Sequence, residues 1–488
     1  MKLYSTLDKK IVEIVPNKEG CISMYSCGPT VYSRMHIGNI RAYIDWDILY
    51  RSFIYTGYKM NRVMNITDVG HMTSNDDFGS DFGDDKMDKQ AEKEGVQPID
   101  IANKYIDTVL EDFKRLHILA PNGEIIPDNL TYEDVENYGW TRATTYVPQM
   151  IEFIKKIIAN GYTYETDQAV YFDVTLLPDY NIFTGQKLED KEVGVRDEVE
   201  EDKGKKHPAD FVLWMKRVGK YANHIMNWDS PWGNGFPGWH IECSAMSTDR
   251  LGEYFDIHTG GVDHISVHHS NERAQNIGAY GHPVVKYWIH NEWLVTKDDA
   301  KLSKSKGASD LDEIISSGFT PMDLRYFFLS VNYRVKLQFS IEALEGAKNA
   351  RKSLEDKIIS LKEYKDGKVL ESYKERFIEN INNNLNMSGC LALVNELLKS
   401  TEKPEDILAT LLDWDKVFGF GWEELLNTQT NEFIYCEGDN VELDTLIKER
   451  IEAKSNKDYA KADKIRNKIT DLGYTITDTP DGVKVTKI

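Results

Sequence analysis

Four side chains that are far apart in the sequence could together bind a metal ion. His268 and Glu272 are four residues apart, so on a helix they would lie on the same face. Cys27 and Cys243 could add two thiolates, and two thiolates, an imidazole and a carboxylate form a borderline-soft donor set that suits zinc. His269 would face another side of the helix and is a lesser candidate. Because an isolated cysteine is more often a small core residue, the metal hypothesis depends on the whole set.

The first of these residues stands at the end of a predicted βαβ unit. Residues 22–27 read as a short apolar strand, and apolar residues at helical spacing follow over 40–53. A second strand is predicted over 60–66, and parallel strands joined in this way require a right-handed crossover. The ligand crevice of such a sheet lies outside the carboxyl ends of its strands, next to Cys27 and the segment 36–39. This pattern indicates a nucleotide-binding α/β fold.

A second strand end of the same kind occurs at residues 255–263. Apolar residues lead into the pair Gly260-Gly261, and Asp263 follows at the end of the segment. A glycine pair lets the backbone approach a ligand closely. The sequence therefore predicts a second part of the crevice here.

Length and composition indicate a multidomain globular protein. A chain of 488 residues exceeds what one hydrophobic core usually supports, so two or three domains are expected. The hydrophobic fraction is 41% and the charged fraction 28%, and no apolar run reaches the length of a membrane span. The first residues lack the apolar region of a signal peptide, and the five cysteines are scattered and odd in number. We therefore expect a cytoplasmic protein with free thiols or metal ligands and no membrane partner.

The formal net charge of −21 argues against non-specific binding to nucleic acid. Phosphate binding depends on local clusters of lysine and arginine, which this balance does not favour overall. A specific RNA partner is still compatible with the charge, since basic residues can be confined to one face while an acidic remainder suppresses wrong partners.

The segment from Cys27 to Asn39 carries a family resemblance. Cys27-Gly28-Pro29-Thr30-Val31-Tyr32, followed by His36-Ile37-Gly38-Asn39, resembles the HIGH signature region of class I aminoacyl-tRNA synthetases, in the variant found in cysteinyl-tRNA synthetases. Asn39 replaces the last histidine of the motif, and its amide can still donate to a phosphate or ribose oxygen. The resemblance implies that His36 and Asn39 are catalytic residues that bind ATP.

Residues 301–305, Lys-Leu-Ser-Lys-Ser, resemble the second signature of the same family, the KMSKS loop, with Leu302 in place of methionine. Attack of a carboxylate on ATP builds negative charge on the leaving pyrophosphate, which mobile lysines can neutralise. A Lys-Ser-rich stretch is ordinarily a solvated turn, but its order and separation from the first motif fit the family. The resemblance implies catalytic roles for Lys301 and Lys304, with Lys304 at the ATP phosphates.

The resemblance also assigns the remaining site residues. Gly261 and Asp263 would lie near the nucleoside of ATP, while Thr67, Trp239 and His268 would contact the amino-acid substrate. In cysteinyl-tRNA synthetases the residues that match Cys27, Cys243, His268 and Glu272 hold one zinc ion, which takes the thiolate of the substrate cysteine as a further ligand. Zinc distinguishes cysteine from serine because a thiol on zinc is deprotonated, whereas a hydroxyl is a hard and hardly ionised ligand. Magnesium would accompany ATP.

The resemblance runs essentially from end to end and implies the domain organisation. Residues 1–335 would form the class I Rossmann-type catalytic domain, with a connective insertion at about 120–205. Residues 336–425 read as an α-helical tRNA-binding bundle, and 426–488 as a small α+β domain for the anticodon region, with a helix over 444–472 and two short strands around the turn at 479–482. The implied reaction joins L-cysteine to tRNA(Cys) through cysteinyl-adenylate, in a protein expected to be a monomer.

Two alternatives remain open at the level of sequence. Mycothiol ligases activate cysteine in the same way but pass it to an amino sugar, and they lack the RNA-binding tail; here roughly 150 residues follow the catalytic half. A catalytically silent homologue would act only as a binding module. The presence of His36, Lys304 and the four metal candidates argues against the silent homologue.

Overall fold

The computed structural model describes residues 1–69, 72–73, 84–185, 202–302, 309–427, 441–455, 458–479 and 482–487. The chain divides into two compact units, Met1–Trp422 and Glu423–Ile488. Lys304 lies outside the described residues, so its role stays a prediction from the sequence. Among the helices that the structure describes, none combines the length and the apolar character needed to cross a membrane.

In chain order the elements of the first unit are β1 (Lys2–Ser5), β2 (Lys10–Glu13), β3 (Cys21–Ser26), α1 (Ile37–Tyr55), β4 (Lys59–Ile66), β5 (Met72–Thr73), β6 (Asp84–Asp85), α2 (Lys86–Glu94), α3 (Pro98–Arg115), β7 (Trp140–Arg142), α4 (Val147–Ala159), β8 (Thr163–Glu165), β9 (Ala169–Phe172), β10 (Phe211–Lys216), β11 (Gly235–Pro237), α5 (Trp239–Leu251), β12 (Phe255–Gly261), α6 (His268–Tyr280), β13 (Val285–Asn291), β14 (Leu294–Val295), α7 (Leu311–Ser316), α8 (Pro321–Leu329), β15 (Leu337–Gln338), α9 (Ile341–Ile359), α10 (Glu371–Asn382), α11 (Met387–Leu397) and α12 (Pro404–Phe418). Helix α13 (Trp422–Asn427) begins at the last residue of this unit, and the second unit contains α14 (Val441–Ser455), α15 (Tyr459–Asp471), β16 (Tyr474–Thr479) and β17 (Gly482–Lys487).

The centre of the first unit is a five-stranded parallel sheet with the order β13-β12-β3-β4-β7. The predicted βαβ unit is present as β3-α1-β4, and β12-α6-β13 is a second one on the other side of β3. The connection after β3 leads to β4 on one side, and the connection after β12 leads to β13 on the other side. The space between the ends of β3 and β12 is therefore a topological switch point. The parallel α/β fold expected from the sequence is confirmed.

The carboxyl ends of the two central strands lie side by side. Directly after β3, the Cys27 N–H donates to the Thr259 carbonyl of β12 at 3.1 Å. Helix α1 begins after His36, whose Nδ1 accepts from the Gly38 N–H at 3.1 Å and so caps the first turn. The expected ligand crevice is therefore lined by Cys27, the first turn of α1 and the end of β12.

Strand β3 separates two hydrophobic cores, as the alternation of side chains along a strand requires. Ile22 and Met24 belong to the core that contains residues of α1. Tyr25 and Cys27 belong to the core that contains residues of α4, α5 and α6. The thiol of Cys27 consequently points towards the helices that carry the other metal candidates.

The chain between α4 and α5 forms a second sheet, which is antiparallel and has the order β11-β10-β9-β8. Its bounds differ from those predicted for the insertion, about 120–205. Strand β7 falls inside that range but is the edge strand of the central sheet, where it pairs with β4. The antiparallel sheet continues past residue 205 to β11 because the buried apolar strand β10 pairs with β9.

Helices α9 to α12 form the predicted helical region and belong to the same compact unit as the sheet. The stacked rings of Phe377 and Trp414, 4.8 Å apart, lie in its core. Tyr55 at the end of α1 donates to Asp413 of α12 at 2.5 Å. The helical region is thus packed against the helix that carries the first signature motif.

The second unit has its own small core, in which residues of both helices and of the hairpin are buried: Leu443, Leu446, Ile447, Ile465, Ile469, Ile476 and Val485. The sequence predicts one helix over 444–472, whereas the structure has two, α14 and α15. Asp458 starts the second helix by accepting from the Lys461 N–H at 3.0 Å. The predicted pair of strands is present as β16 and β17, which pair from Tyr474↔Lys487 to Thr479↔Gly482.

Candidate active site

The four predicted metal ligands converge in the crevice of the central sheet. Cys27 follows β3, Cys243 lies on α5, and His268 and Glu272 lie on α6. One ligand atom from each lies within 4.8 Å of the other three, and all four residues are buried. The predicted spacing on α6 brings His268 Nε2 to 3.0 Å from Glu272 Oε1. Two thiols, an imidazole and a carboxylate at these distances fit a borderline-soft divalent metal ion.

The pKa shifts of these residues favour two protons within the cluster, and two protons carry the same total charge as one divalent metal ion. Burial and the hydrogen bond to Cys243 raise the pKa of Cys27. Burial opposes ionisation of Cys243, but the bond from Cys27 and the charge of His268 lower its pKa to about 6. The pKa of His268 is raised to about 10, against the effect of burial, by Glu272 and Cys243. Protons on Cys27 and His268 thus occupy positions that a divalent cation would take over.

His269, the lesser candidate from the sequence, also reaches this cluster. Its Nε2 lies 3.3 Å from the Cys27 sulfur, and its Nδ1 lies 2.7 Å from His290 Nε2. Cys27 is close to the first turn of α6, so that two consecutive residues of this helix are within its reach. Cys27, His258, His269 and Glu272 therefore form an overlapping group of ligand atoms, again within 4.8 Å of one another.

Further buried side chains orient the predicted ligands. His240 Nδ1 lies 2.8 Å from His268 Nδ1, and the ring of Trp239 lies 4.5 Å from that of His268. His258 Nε2 lies 2.8 Å from Glu272 Oε2. Such partners fix the orientation of metal ligands and raise their basicity. Sequence reasoning missed His240 and His258, although both stand in segments that it singled out.

Thr67 lies at the edge of the same site and is 1% exposed. Its hydroxyl donates to Glu242 Oε2 at 3.0 Å and accepts from the Asn65 side-chain amide at 3.0 Å. Burial, followed by the neighbouring Cys243, raises the pKa of Glu242 well above its usual range. Glu242 is a buried polar neighbour of the cluster that the sequence analysis did not select.

The start of the first signature segment contacts residues that follow the second signature in the chain. The Ile37 N–H donates to the Ser309 carbonyl at 2.9 Å, and His36 forms a bridge with Asp310. Ser309 and Asp310 directly follow the undescribed residues 303–308. Asn39 is exposed in the first turn of α1.

Lys301 and Asp263 form an ion pair at the mouth of the crevice. Lys301 Nζ lies 3.0 Å from Asp263 Oδ2, and the Trp293 indole N–H donates to Asp263 Oδ1 at 3.3 Å. Gly261 ends β12, and a Cβ at this position would stand 2.5 Å from Asp263 Oδ1. The structure thus brings Gly261, Asp263 and Lys301 together.

Comparison with solved structures shows the fold. The chain is similar to the Mycobacterium tuberculosis methionyl-tRNA synthetase bound by methionyl-adenylate, with a TM-score of 0.52, 14% identity and coverage of 83% of this chain and 93% of that chain. It is also similar to the agnB2 LeuRS of Agrobacterium radiobacter K84 in a ternary complex with tRNA and LeuAMS, with a TM-score of 0.55, 10% identity and 85% of each chain covered. The chain therefore shares the fold of these two class I aminoacyl-tRNA synthetases.

Sequence comparison identifies the family to which the chain belongs. The model of the class I (C) tRNA synthetase catalytic domain matches residues 13–349. The cysteine–tRNA ligase of Treponema denticola is 40% identical, with 98% of each chain covered. Cysteine–tRNA ligase 1 of Burkholderia lata is 36% identical, with 99% of this chain and 96% of the relative covered. The chain belongs to the cysteine–tRNA ligase family of class I synthetases.

Proposed function

We propose that this cysteine–tRNA ligase holds one zinc ion through Cys27, Cys243, His268 and Glu272 and selects its amino acid there. The observation that carries the proposal is the convergence of these four buried donors within 4.8 Å. When bound, the zinc would supply a ligand position that prefers a thiolate to a hydroxyl, which distinguishes cysteine from serine. The reaction is activation of L-cysteine by ATP to cysteinyl-adenylate, followed by transfer to the 3′-terminal ribose of tRNA(Cys).

The chain's own residues position the substrate around this site. Trp239 packs on the ring of His268, and His240 contacts the other nitrogen of that ring, so the imidazole is held in one orientation. Thr67, fixed between Asn65 and Glu242, would define the wall next to the substrate. A side chain of the size of cysteine would be oriented here by rigid groups before reaction begins.

The phosphates of ATP would be bound by the start of α1 and by the lysine loop. The positive end of the α1 dipole, with the side chains of His36 and Asn39, would attract an anion. Gly261 and Asp263 would lie near the nucleoside, and Mg²⁺ would accompany the triphosphate. Lys304 would neutralise the charge that develops on pyrophosphate as the carboxylate of cysteine attacks the α-phosphorus.

Transfer to tRNA distinguishes this proposal from ligation to an amino sugar. The sequence similarity to the cysteine–tRNA ligases from Treponema denticola and Burkholderia lata extends over nearly the whole length of those proteins. It therefore includes the helical region and the second unit of this chain. A ligase that acts on an amino sugar has no need of such a tail. A monomeric, cytoplasmic enzyme stays a prediction from the sequence.

Metal analysis of the purified protein tests the zinc site. Wild type is expected to contain one zinc per chain, and Cys27→Ala and Cys243→Ala should each lose most of it, because removal of one thiolate leaves an incomplete donor set. Cys390→Ala is the matched control, since Cys390 is equally buried but lies on α11, in the helical region. Full zinc occupancy in both site variants would refute the assignment.

A further inference from the structure

A second cluster of metal-ligating side chains in the first unit shares no residue with the candidate active site. Asp85 caps the start of α2, Asp88 lies in the first turn of that helix, and His224 lies in the loop between β10 and β11. One ligand atom from each lies within 4.8 Å of the other two. Asp85 and His224 are only 6% and 5% exposed. Two segments that are far apart in sequence thus place an imidazole and two carboxylates together.

The contacts of His224 determine which of its ring nitrogens carries a hydrogen. His224 Nδ1 lies 2.9 Å from the Met226 carbonyl oxygen, which can only accept, so Nδ1 carries a hydrogen and donates it. The other nitrogen, Nε2, lies 2.9 Å from Asp85 Oδ2, which is also an acceptor when ionised. Two acceptors face each other only with a cation between them, either a proton or a metal ion. Donation of the second ring N–H to a carbonyl is the arrangement that metal-bound histidines adopt.

The carboxylate of Asp88, the third residue of the cluster, favours a bound metal ion over a proton on His224. The side chain of Asp88 is partly buried, and the Ile225 N–H donates to its carboxylate, whereas its Oδ1 atom is buried and accepts no hydrogen bond among the described residues. A proton on His224 Nε2 would serve Asp85 alone and leave this oxygen unsatisfied, which carries a cost for a buried polar atom. A metal ion bound by all three residues satisfies Nε2 and both carboxylates at once.

The ligands are also held in place by their other contacts. Asp85 Oδ1 accepts from the Met87 N–H at 2.7 Å, which leaves Oδ2 directed at His224. The imidazole of His224 stacks on the ring of Phe236, with the centroids 4.0 Å apart. A ligand set that is fixed in this way loses little conformational entropy when an ion binds.

We propose that Asp85, Asp88 and His224 form a second metal site, which takes a divalent transition-metal cation and joins the start of α2 to the loop before β11. One imidazole and two carboxylates suit Zn²⁺ or Mn²⁺, and Mg²⁺, which prefers oxygen ligands in an octahedral shell, should bind less well. Three protein ligands leave the remaining positions to water. The site is structural, because it connects two segments outside the crevice of the central sheet.

Cobalt binding to the full-length protein tests the site, since Co²⁺ replaces zinc and gives a charge-transfer band only when a thiolate binds it. After removal of metals by a chelator and dialysis against Co²⁺, wild type should bind two ions per chain, of which only one contributes to the thiolate band. His224→Gln should bind one ion and keep the full band. His282→Gln, a partly exposed histidine elsewhere, is the matched control and should bind two.

A second variant keeps the test valid if His224→Gln folds poorly. Asp88→Asn retains the contact between His224 and Asp85 but loses one ligand charge, and it should weaken binding of the second Co²⁺ by at least about tenfold. The thiolate band should again be unchanged. Mg²⁺ in equal amount should not displace the second Co²⁺.

The outcomes separate this proposal from that of the zinc site. A wild-type protein that binds one Co²⁺ with a thiolate band, or a His224→Gln variant that binds as much Co²⁺ as wild type, would overturn the second site. If the cluster of Cys27, Cys243, His268 and Glu272 bound no metal, wild type would bind one Co²⁺ without a thiolate band. In that case His224→Gln would bind no Co²⁺. Either proposal can therefore fail alone.

Discussion

Lys301 and Lys304 are three residues apart, but the contacts around Lys301 suggest different roles for them. Lys301 is engaged with Asp263 at 3.0 Å, so its charge is already balanced by a carboxylate. A lysine whose charge is balanced in this way contributes less to a transition state that gains negative charge. We therefore expect the pyrophosphate to be stabilised mainly by Lys304.

Lys304→Ala should lower the turnover of cysteine-dependent ATP–pyrophosphate exchange by about 100-fold or more, the usual effect of removing one preorganised donor. The KM for ATP should change little, because the interaction strengthens only as charge develops on pyrophosphate. Lys297→Ala, at an exposed lysine just before the loop, is the control and should behave as wild type. A variant in which only the apparent affinity for ATP changed would contradict this role.

At the residue scale, the sequence predicted which four metal candidates converge better than it predicted their surroundings. His268 and Glu272 could be paired from helical spacing alone, and family resemblance added Cys27 and Cys243. The contacts of His240 with His268 and of His258 with Glu272 depend on how β12, α5 and α6 pack, which local patterns do not specify. The nearness of His269 to Cys27 could not be predicted for the same reason.

At the scale of elements, one buried ion pair connects α1 with the helices around it. Arg325 of α8 donates to Asp47 of α1 at 2.6 Å, and both side chains are fully buried. The same guanidinium donates to the Leu116 carbonyl at 2.9 Å and to the Phe418 carbonyl at 2.6 Å. The position of α1, and with it the first signature motif, thus depends on contacts with three other parts of the unit.

Arg325→Met should therefore lower the free energy of unfolding of the first unit by about 3–5 kcal/mol, since it removes one of the two arginines that pair with the buried Asp47 and the donor to two backbone carbonyls. Arg376→Met is the matched control, because Arg376 forms its ion pair with Glu396 at the surface, where such pairs contribute less than about 1 kcal/mol. Urea denaturation measures both. Equal effects of the two substitutions would contradict the structural role given to Arg325.

The same ion pair predicts a dependence of stability on pH. Burial opposes ionisation of Asp47, but Arg51 and Arg325 outweigh it and hold its pKa below the usual value. An unfolded aspartate has a pKa of about 3.9, so the contribution is complete above that pH and is lost as the pH falls below it towards the folded pKa. The difference in unfolding free energy between wild type and Asp47→Asn should be constant from pH 7 to about 5 and shrink below about 4. A difference that grows on acidification would contradict the assignment.

Element boundaries show where local sequence signals were insufficient. The strands β3 and β4 and helix α1 were predicted because their apolar periodicity is clear. Strand β7 lies within the range predicted for the insertion, and its three residues carry too little periodicity to show that they pair with β4. The insertion is predicted to end at about residue 205, whereas long-range pairing of β10 with β9 extends the antiparallel sheet to β11.

At the scale of the whole molecule, every candidate for cysteine activation lies in the first unit. The second unit contains none of them, but the exposed side of α15 carries a group of basic residues: Lys461, Lys464, Arg466 and Lys468. In a chain with a net charge of −21, such a local group is where phosphates would be bound. We expect this unit to act on tRNA rather than on cysteine or ATP.

Removal of residues 426–488 should leave cysteine-dependent pyrophosphate exchange largely intact and weaken tRNA charging, chiefly through a higher KM for tRNA. The physical reason is that recognition of an RNA loop uses a surface distant from the end that reacts. A full-length variant with Lys461→Ala, Lys464→Ala and Lys468→Ala is the control for folding of the second unit and should raise the same KM. Unchanged charging kinetics in the folded, truncated protein would show that this unit does not recognise tRNA.

The most direct test of the central claim is ATP–pyrophosphate exchange by the full-length, zinc-loaded protein with each amino acid in turn. Cysteine should support exchange, and serine should be activated at least about 1,000-fold less efficiently, because a site built for a thiolate leaves its polar groups unpaired with a hydroxyl. Exchange that is supported equally by serine, or by another amino acid in preference to cysteine, would contradict the account.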